Sequence, residues 1–138
     1  MIILDTNVIS AIMREFPDPR VVAWLDRQPR SSLWTTSVTS LEIQYGLQIL
    51  PLGKRRTALL GAFRIILDRI ANRVLPFDAP AADHASTLMA NRQRAGRPVE
   101  LRDTMIAGIA LAQNAALATR NTVHFTDLTV PLIDPWSP

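Results

Sequence analysis

Three short apolar runs constrain the fold of this chain most, because each is followed by a stretch with helical periodicity. They are "MIIL" at 1–4, "SLWTT" at 32–36 and "AALAT" at 115–119. A fourth candidate, "RVLPF" at 73–77, contains Pro76, which cannot donate to a sheet ladder and so predicts an edge strand or a strand end. Between these runs the periodicity predicts helices near 6–14, 19–28, 39–50, 54–72, 79–95 and 102–114. Short apolar strands alternating with amphipathic helices imply an α/β fold, a three-layer α/β/α sandwich with a short, mainly parallel central sheet. No repeat, low-complexity tract or linker interrupts the 138 residues, so residues 1–138 are read as one domain.

The helix signals have local physical causes. Pro19 occupies a first-turn position, where a missing N–H costs nothing, ahead of Val21, Val22 and Leu25. Leu59, Leu60, Phe63, Ile66, Leu67 and Ile70 form a broad apolar stripe, as expected of a helix packed on a sheet. Thr39 and Glu42 have the spacing of a capping box, and Gly96 supplies a stop for the helix that begins near Pro80.

Composition removes several function classes. The chain has no cysteine, which excludes disulfides and thiolate zinc sites and suits a reducing cytoplasm. The longest apolar run, "MIAGIALA" at 105–112, is far shorter than the roughly 20 residues that span a bilayer. No basic start followed by a long apolar stretch marks a signal peptide. A soluble cytoplasmic protein, with no membrane partner, is the expectation. The net charge is +3, and Lys54 is the only lysine among fifteen basic residues. Arginine forks onto phosphates, so this excess suits a nucleic-acid partner, although GC-rich coding produces the same excess.

The acids carry the chemistry. Only three glutamates and nine aspartates are present, and Asp5, Glu42 and Asp103 all fall near predicted helix starts. Asp5 also ends the first strand, and in parallel α/β sheets ligands bind outside the carboxyl ends of strands. Each acid has an alternative reading, since a carboxylate complements a helix N-terminus by about 0.3–1 kcal/mol. Taken together they suggest a shared metal site. Two carboxylates about 4 Å apart repel by roughly 4 kcal/mol at an effective dielectric near 20. Three therefore need protonation, cationic neighbours or a divalent ion. An all-oxygen set selects magnesium or manganese, and with only His84 and His124 in the chain zinc is disfavoured.

Several motifs in order, "LDTNV" at 4–8, "TSVTSLEIQYG" at 36–46, "RDTMIAG" at 102–108, "ATRNTVHF" at 118–125 and the closing "DPW", resemble a PIN-domain protein of the VapC type. The first and last motifs resemble the FitB branch especially. The resemblance implies a PIN-like fold and an endoribonuclease dependent on Mg2+ or Mn2+. It also implies the toxin of a type II toxin–antitoxin pair, a homodimer, and a cognate antitoxin that is VapB- or FitA-like.

The family's first three acids fall on Asp5, Glu42 and Asp103 as metal ligands and catalytic residues. The fourth polar position falls on Asn121, where relatives often have an acid. Some members carry an acid where this chain has His124, and Asp127 is the alternative. Thr6, Asn7, Thr104 and Thr119 are expected to support the carboxylates, or else to make local turn and cap bonds. Arg102 and Arg120 are candidate contacts to RNA phosphate.

The expected chemistry is hydrolysis of an RNA phosphodiester by an activated water. An aspartyl-type phosphatase or phosphotransferase also places an Asp after the first strand, but its second Asp would stand where this chain has Asn7. A non-catalytic nucleic-acid-binding module is the remaining alternative.

Overall fold

A computed structural model describes residues 1–138 throughout. In chain order the elements are β1 (Ile2–Leu4), α1 (Thr6–Met13), α2 (Pro19–Asp26), β2 (Leu33–Thr36), α3 (Ser37–Gln48), α4 (Lys54–Arg69), β3 (Val74–Leu75), α5 (Ala79–Arg94), α6 (Leu101–Gln113), β4 (Ala116–Ala118) and β5 (Leu132–Ile133). Short 3₁₀ turns cover Arg30–Ser32 and Thr122–Phe125. The six helices and four strands expected from sequence are all present. β5 is the addition: a two-residue strand after Pro131 offers no periodicity long enough to recognise.

All strand pairs are parallel, and the sheet order is β3-β2-β1-β4-β5. β3 lies at the edge and Pro76 follows its last residue, so the proline ends a strand that needs no further donor.

Strand alternation assigns the two cores. Leu4, Leu33 and Ala118 face a layer containing Val8, Ile9, Val21, Trp24, Leu25, Phe63, Ile66 and Trp136. Ile3, Leu75 and Leu117 face the opposite layer, with Ile106, Ala107, Ile109, Ala110 and Phe125. Burying an aliphatic side chain such as Ile3 or Leu4, both at most 1% exposed, contributes about 1.5–3 kcal/mol. Very short strands thus suffice because both faces are covered.

The chain moves outward from β1 to β2 and β3, then returns to the other side of β1 for β4 and β5. Crossovers on either side of this reversal leave by opposite faces, so a crevice opens above the carboxyl ends of β1 and β4. Asp5 and Thr119 follow those two strands directly, and the Asp5 N–H donates to the Ala118 carbonyl at 2.9 Å.

Candidate active site

Asp5 is 3% exposed and caps α1, its Oδ1 accepting the Thr6 N–H at 2.8 Å. Its Oδ2 accepts the Thr119 hydroxyl at 2.7 Å and the Asn7 amide at 3.4 Å. Asp5 therefore caps α1 with one oxygen and turns the other towards Thr119 and Asn7. Asn7 also donates to Thr119 Oγ1 at 3.2 Å, and its own Oδ1 accepts the Arg120 N–H at 3.2 Å. This network sews the β1 end to the β4 end.

Glu42 does not close a capping box with Thr39, as its spacing had suggested. Thr36 is the N-cap of α3 and accepts the Thr39 N–H, which places Glu42 deeper in the helix. Thr36, three residues before Thr39 and the last residue of β2, supplies the capping hydroxyl instead. Glu42 Oε1 instead accepts the Thr6 hydroxyl at 2.9 Å, while Arg102 lies 3.7 Å from Oε2. Thr6 thus links Asp5, through its backbone, to Glu42, through its side chain.

Asp103 sits in the first turn of α6, whose N-cap is Glu100. Glu100 is a residue that the sequence reading missed. Its carboxylate accepts the Arg102 and Asp103 N–H groups, and Arg102 Nε donates back to it at 2.9 Å. His124 Nδ1 lies 3.3 Å from Asp103 Oδ2.

One open cleft is lined by Asp5, Thr6, Asn7, Ser10, Arg14, Glu42, Asp103, Arg120, Asn121 and Trp136. It brings together the three acids and Asn121. Ser10, Arg14 and Trp136 are further lining residues, legible only once α1 and the C-terminus are folded against the sheet. Arg120 stands over the Trp136 ring, 5.0 Å from its centroid.

Two expected participants lie elsewhere. Asp127 forms a two-pronged pair with Arg92, at 2.8 and 2.9 Å, and does not line the cleft. Thr104 is 1% exposed and bonds to Arg92 and the Glu100 carbonyl rather than to any of the acids.

The electrostatics show the strain of gathering these charges. Burial pushes the Asp5 carboxyl up to about 6, against the pull of its Thr119 and Thr6 bonds, with Asp103 and Glu42 adding repulsion. Glu42 and Asp103 are also raised, both mainly by burial. Arg102 and His124 offset part of this at the rim.

No three acidic or imidazole side chains close on a single point, so the acids form an open set and not a preformed cage. That donor set fits a hard ion that keeps several waters and takes only one or two carboxylates directly, as magnesium does. It suits zinc less well, having no thiolate and only one rim imidazole.

The sequence profile of the PIN domain matches residues 2–129. The chain is 39% identical to the VapC ribonuclease Y4jK of Sinorhizobium fredii, over 100% of this chain and 99% of that relative. It is 35% identical to toxin FitB of Neisseria gonorrhoeae, with 99% of each chain covered. Among solved structures, FitAB bound to a DNA fragment superposes with a TM-score of 0.90 at 34% identity, covering 100% of this chain and 97% of that one. Matches of this length and identity, on a fold whose cleft gathers Asp5, Glu42 and Asp103, place this chain in the PIN-domain family, among its VapC and FitB members.

Proposed function

We propose that this chain is an endoribonuclease of the VapC and FitB kind, the toxin of a toxin–antitoxin pair, with Asp5, Glu42 and Asp103 as its catalytic carboxylates. The observation that carries the reading is that all three acids line one open cleft beside the carboxyl ends of β1 and β4. The relatives named VapC ribonuclease and tRNA(fMet)-specific endonuclease support RNA as the substrate class. Solved neighbours include FitAB and VapBC complexes, which supports a cognate antitoxin as the partner. The aspartyl phosphotransferase reading loses its footing, since Asn7 is spent on holding Asp5 and Thr119.

Asp5 and Asp103 would hold a magnesium or manganese ion, which when bound supplies positive charge for the scissile phosphate and lowers the pKa of a water. Glu42, whose carboxyl burial makes more basic, would take the proton of the attacking water. Thr119 and Asn7 fix the Asp5 carboxylate, and Thr6 fixes Glu42. Arg120 and Arg14 line the same cleft and would hold the RNA backbone. Arg102 is engaged with Glu100 and Glu42, so its first duty is to offset charge. No helix of the chain is long and apolar enough to cross a membrane.

Freed of any antitoxin, the chain should cleave RNA with magnesium or manganese and stop on addition of EDTA. Cleavage that survives exhaustive chelation would overturn the metal-dependent reading.

A further inference from the structure

Arg92 is the only charged residue besides Asp5 among the buried residues, at 5% exposure, although it lies on α5 and does not line the cleft. Its guanidinium donates to Asp127 at 2.8 and 2.9 Å, to Thr104 Oγ1 at 3.0 Å and to the His124 carbonyl at 2.8 Å. These partners lie on two otherwise separate segments that bear on the site. Thr104 follows Asp103 on the first turn of α6. His124 lies in the Thr122–Phe125 turn and approaches Asp103 through its ring. Arg92 is buried while the Asp127 side chain is 37% exposed, so desolvation of the guanidinium offsets an attraction that solvent already weakens, and the pair is a weak source of stability. Its fork geometry instead fixes two segments relative to each other.

We propose that Arg92, clamped by Asp127, is a positioning residue that sets Asp103 and its His124 neighbour in register with Asp5. The inference rests on the metal-dependent ribonuclease reading, and it assigns Asp127 a role outside ion binding. Groups that orient a ligand in this way typically change metal affinity or activity by about 10–100-fold when removed.

The test separates positioning from stability. Arg92→Met/Asp127→Leu replaces the pair by apolar groups, a change that often leaves stability intact. Arg92→Lys keeps the charge but loses the fork. Melting temperature, Mn2+ affinity by calorimetry and RNA cleavage are measured for both variants, well below their melting points. Expected are Mn2+ affinity and kcat at least tenfold lower in both, with KM for RNA nearly unchanged. A folded variant with Mn2+ affinity and kcat within twofold of the parent overturns the proposal, as does a loss that only tracks the unfolded fraction. If the parent binds Mn2+ but cleaves no RNA, the ribonuclease reading fails and Mn2+ affinity alone still decides the role of Arg92. A parent that neither binds Mn2+ nor cleaves RNA refutes both.

Discussion

Asp5 illustrates how one residue can be favoured by local structure and penalised by its surroundings. Capping α1 and accepting the Thr119 hydroxyl favour its charged form, yet burial outweighs them and moves the carboxyl from 3.8 to about 6. That displacement corresponds to roughly 3 kcal/mol of unfavourable ionisation in the ion-free protein. The folded state holds the proton more tightly than the unfolded chain. The contribution of Asp5 to stability is therefore fully present below pH 3.8 and is lost as pH rises through about 6. Asp5→Asn should cap nearly as well, but its amide would face the Asn7 amide, so its absolute stability combines gain and loss. The pH dependence is free of that ambiguity. Measured in EDTA, the melting temperature of Asp5→Asn relative to the parent should climb between pH 4 and pH 7. A flat difference would mean that Asp5 is not strained. In magnesium the variant should lose most of the stabilisation the parent gains, because a ligand stabilises in proportion to its affinity for the folded state. Its RNA cleavage should fall by orders of magnitude.

At the scale of elements, α5 and α6 approach so closely that Gly108 has no room for a side chain. A Cβ there would meet the Ala81 carbonyl oxygen at 2.5 Å and Ala85 Cβ at 2.8 Å. Gly108→Ala gains about 1 kcal/mol of helix propensity. Overpacking costs about 1–3 kcal/mol, and the obstructing atom is backbone that cannot swing aside, so the cost wins. The variant should melt a few degrees lower, and cleavage should fall further than stability because α6 carries Asp103. Equal or higher melting would show that the two helices have slack. This close approach was not legible in the sequence, where "MIAGIALA" reads only as an apolar run. The strand-ending Asp5, the first-turn Asp103 and the proline-marked edge were legible, because each expresses a local rule. Glu42 was legible from its place after the second strand and from the motif around it, while the capping-box reading that competed with this fails because Thr36 is the cap. Arg92 and β5 were hidden, since a buried arginine looks like any surface arginine until its partners, 12 to 35 residues away, fold around it.

For the whole molecule, the outer face of α3 raises a different question from its inner one. Ile43 and Leu47 point into the core, but Leu41, Tyr45 and Ile49 recur every four residues on the opposite side and are 59%, 59% and 65% exposed. Leu52, just past the helix, is 87% exposed. Isolated exposed apolar residues are ordinary, whereas a row on one helix face marks an association surface. If the expected homodimer forms through this row, α3 of one copy packs against α3 of the other. A two-fold contact needs a patch that complements itself, and a single apolar row satisfies this without paired charges. The chain should sediment as a dimer at micromolar concentration. Leu41→Glu/Tyr45→Glu should sediment as a monomer, because four carboxylates would be forced together across the two-fold axis. The substituted side chains lie outside the core, so each monomer should keep the parent's far-ultraviolet circular dichroism. A parent that sediments as a monomer, or a double variant that remains a dimer, would remove α3 from the interface. If the monomeric variant still binds Mn2+ as the parent does, the site between β1 and β4 is complete within one copy, and dimerisation serves another purpose than assembling it.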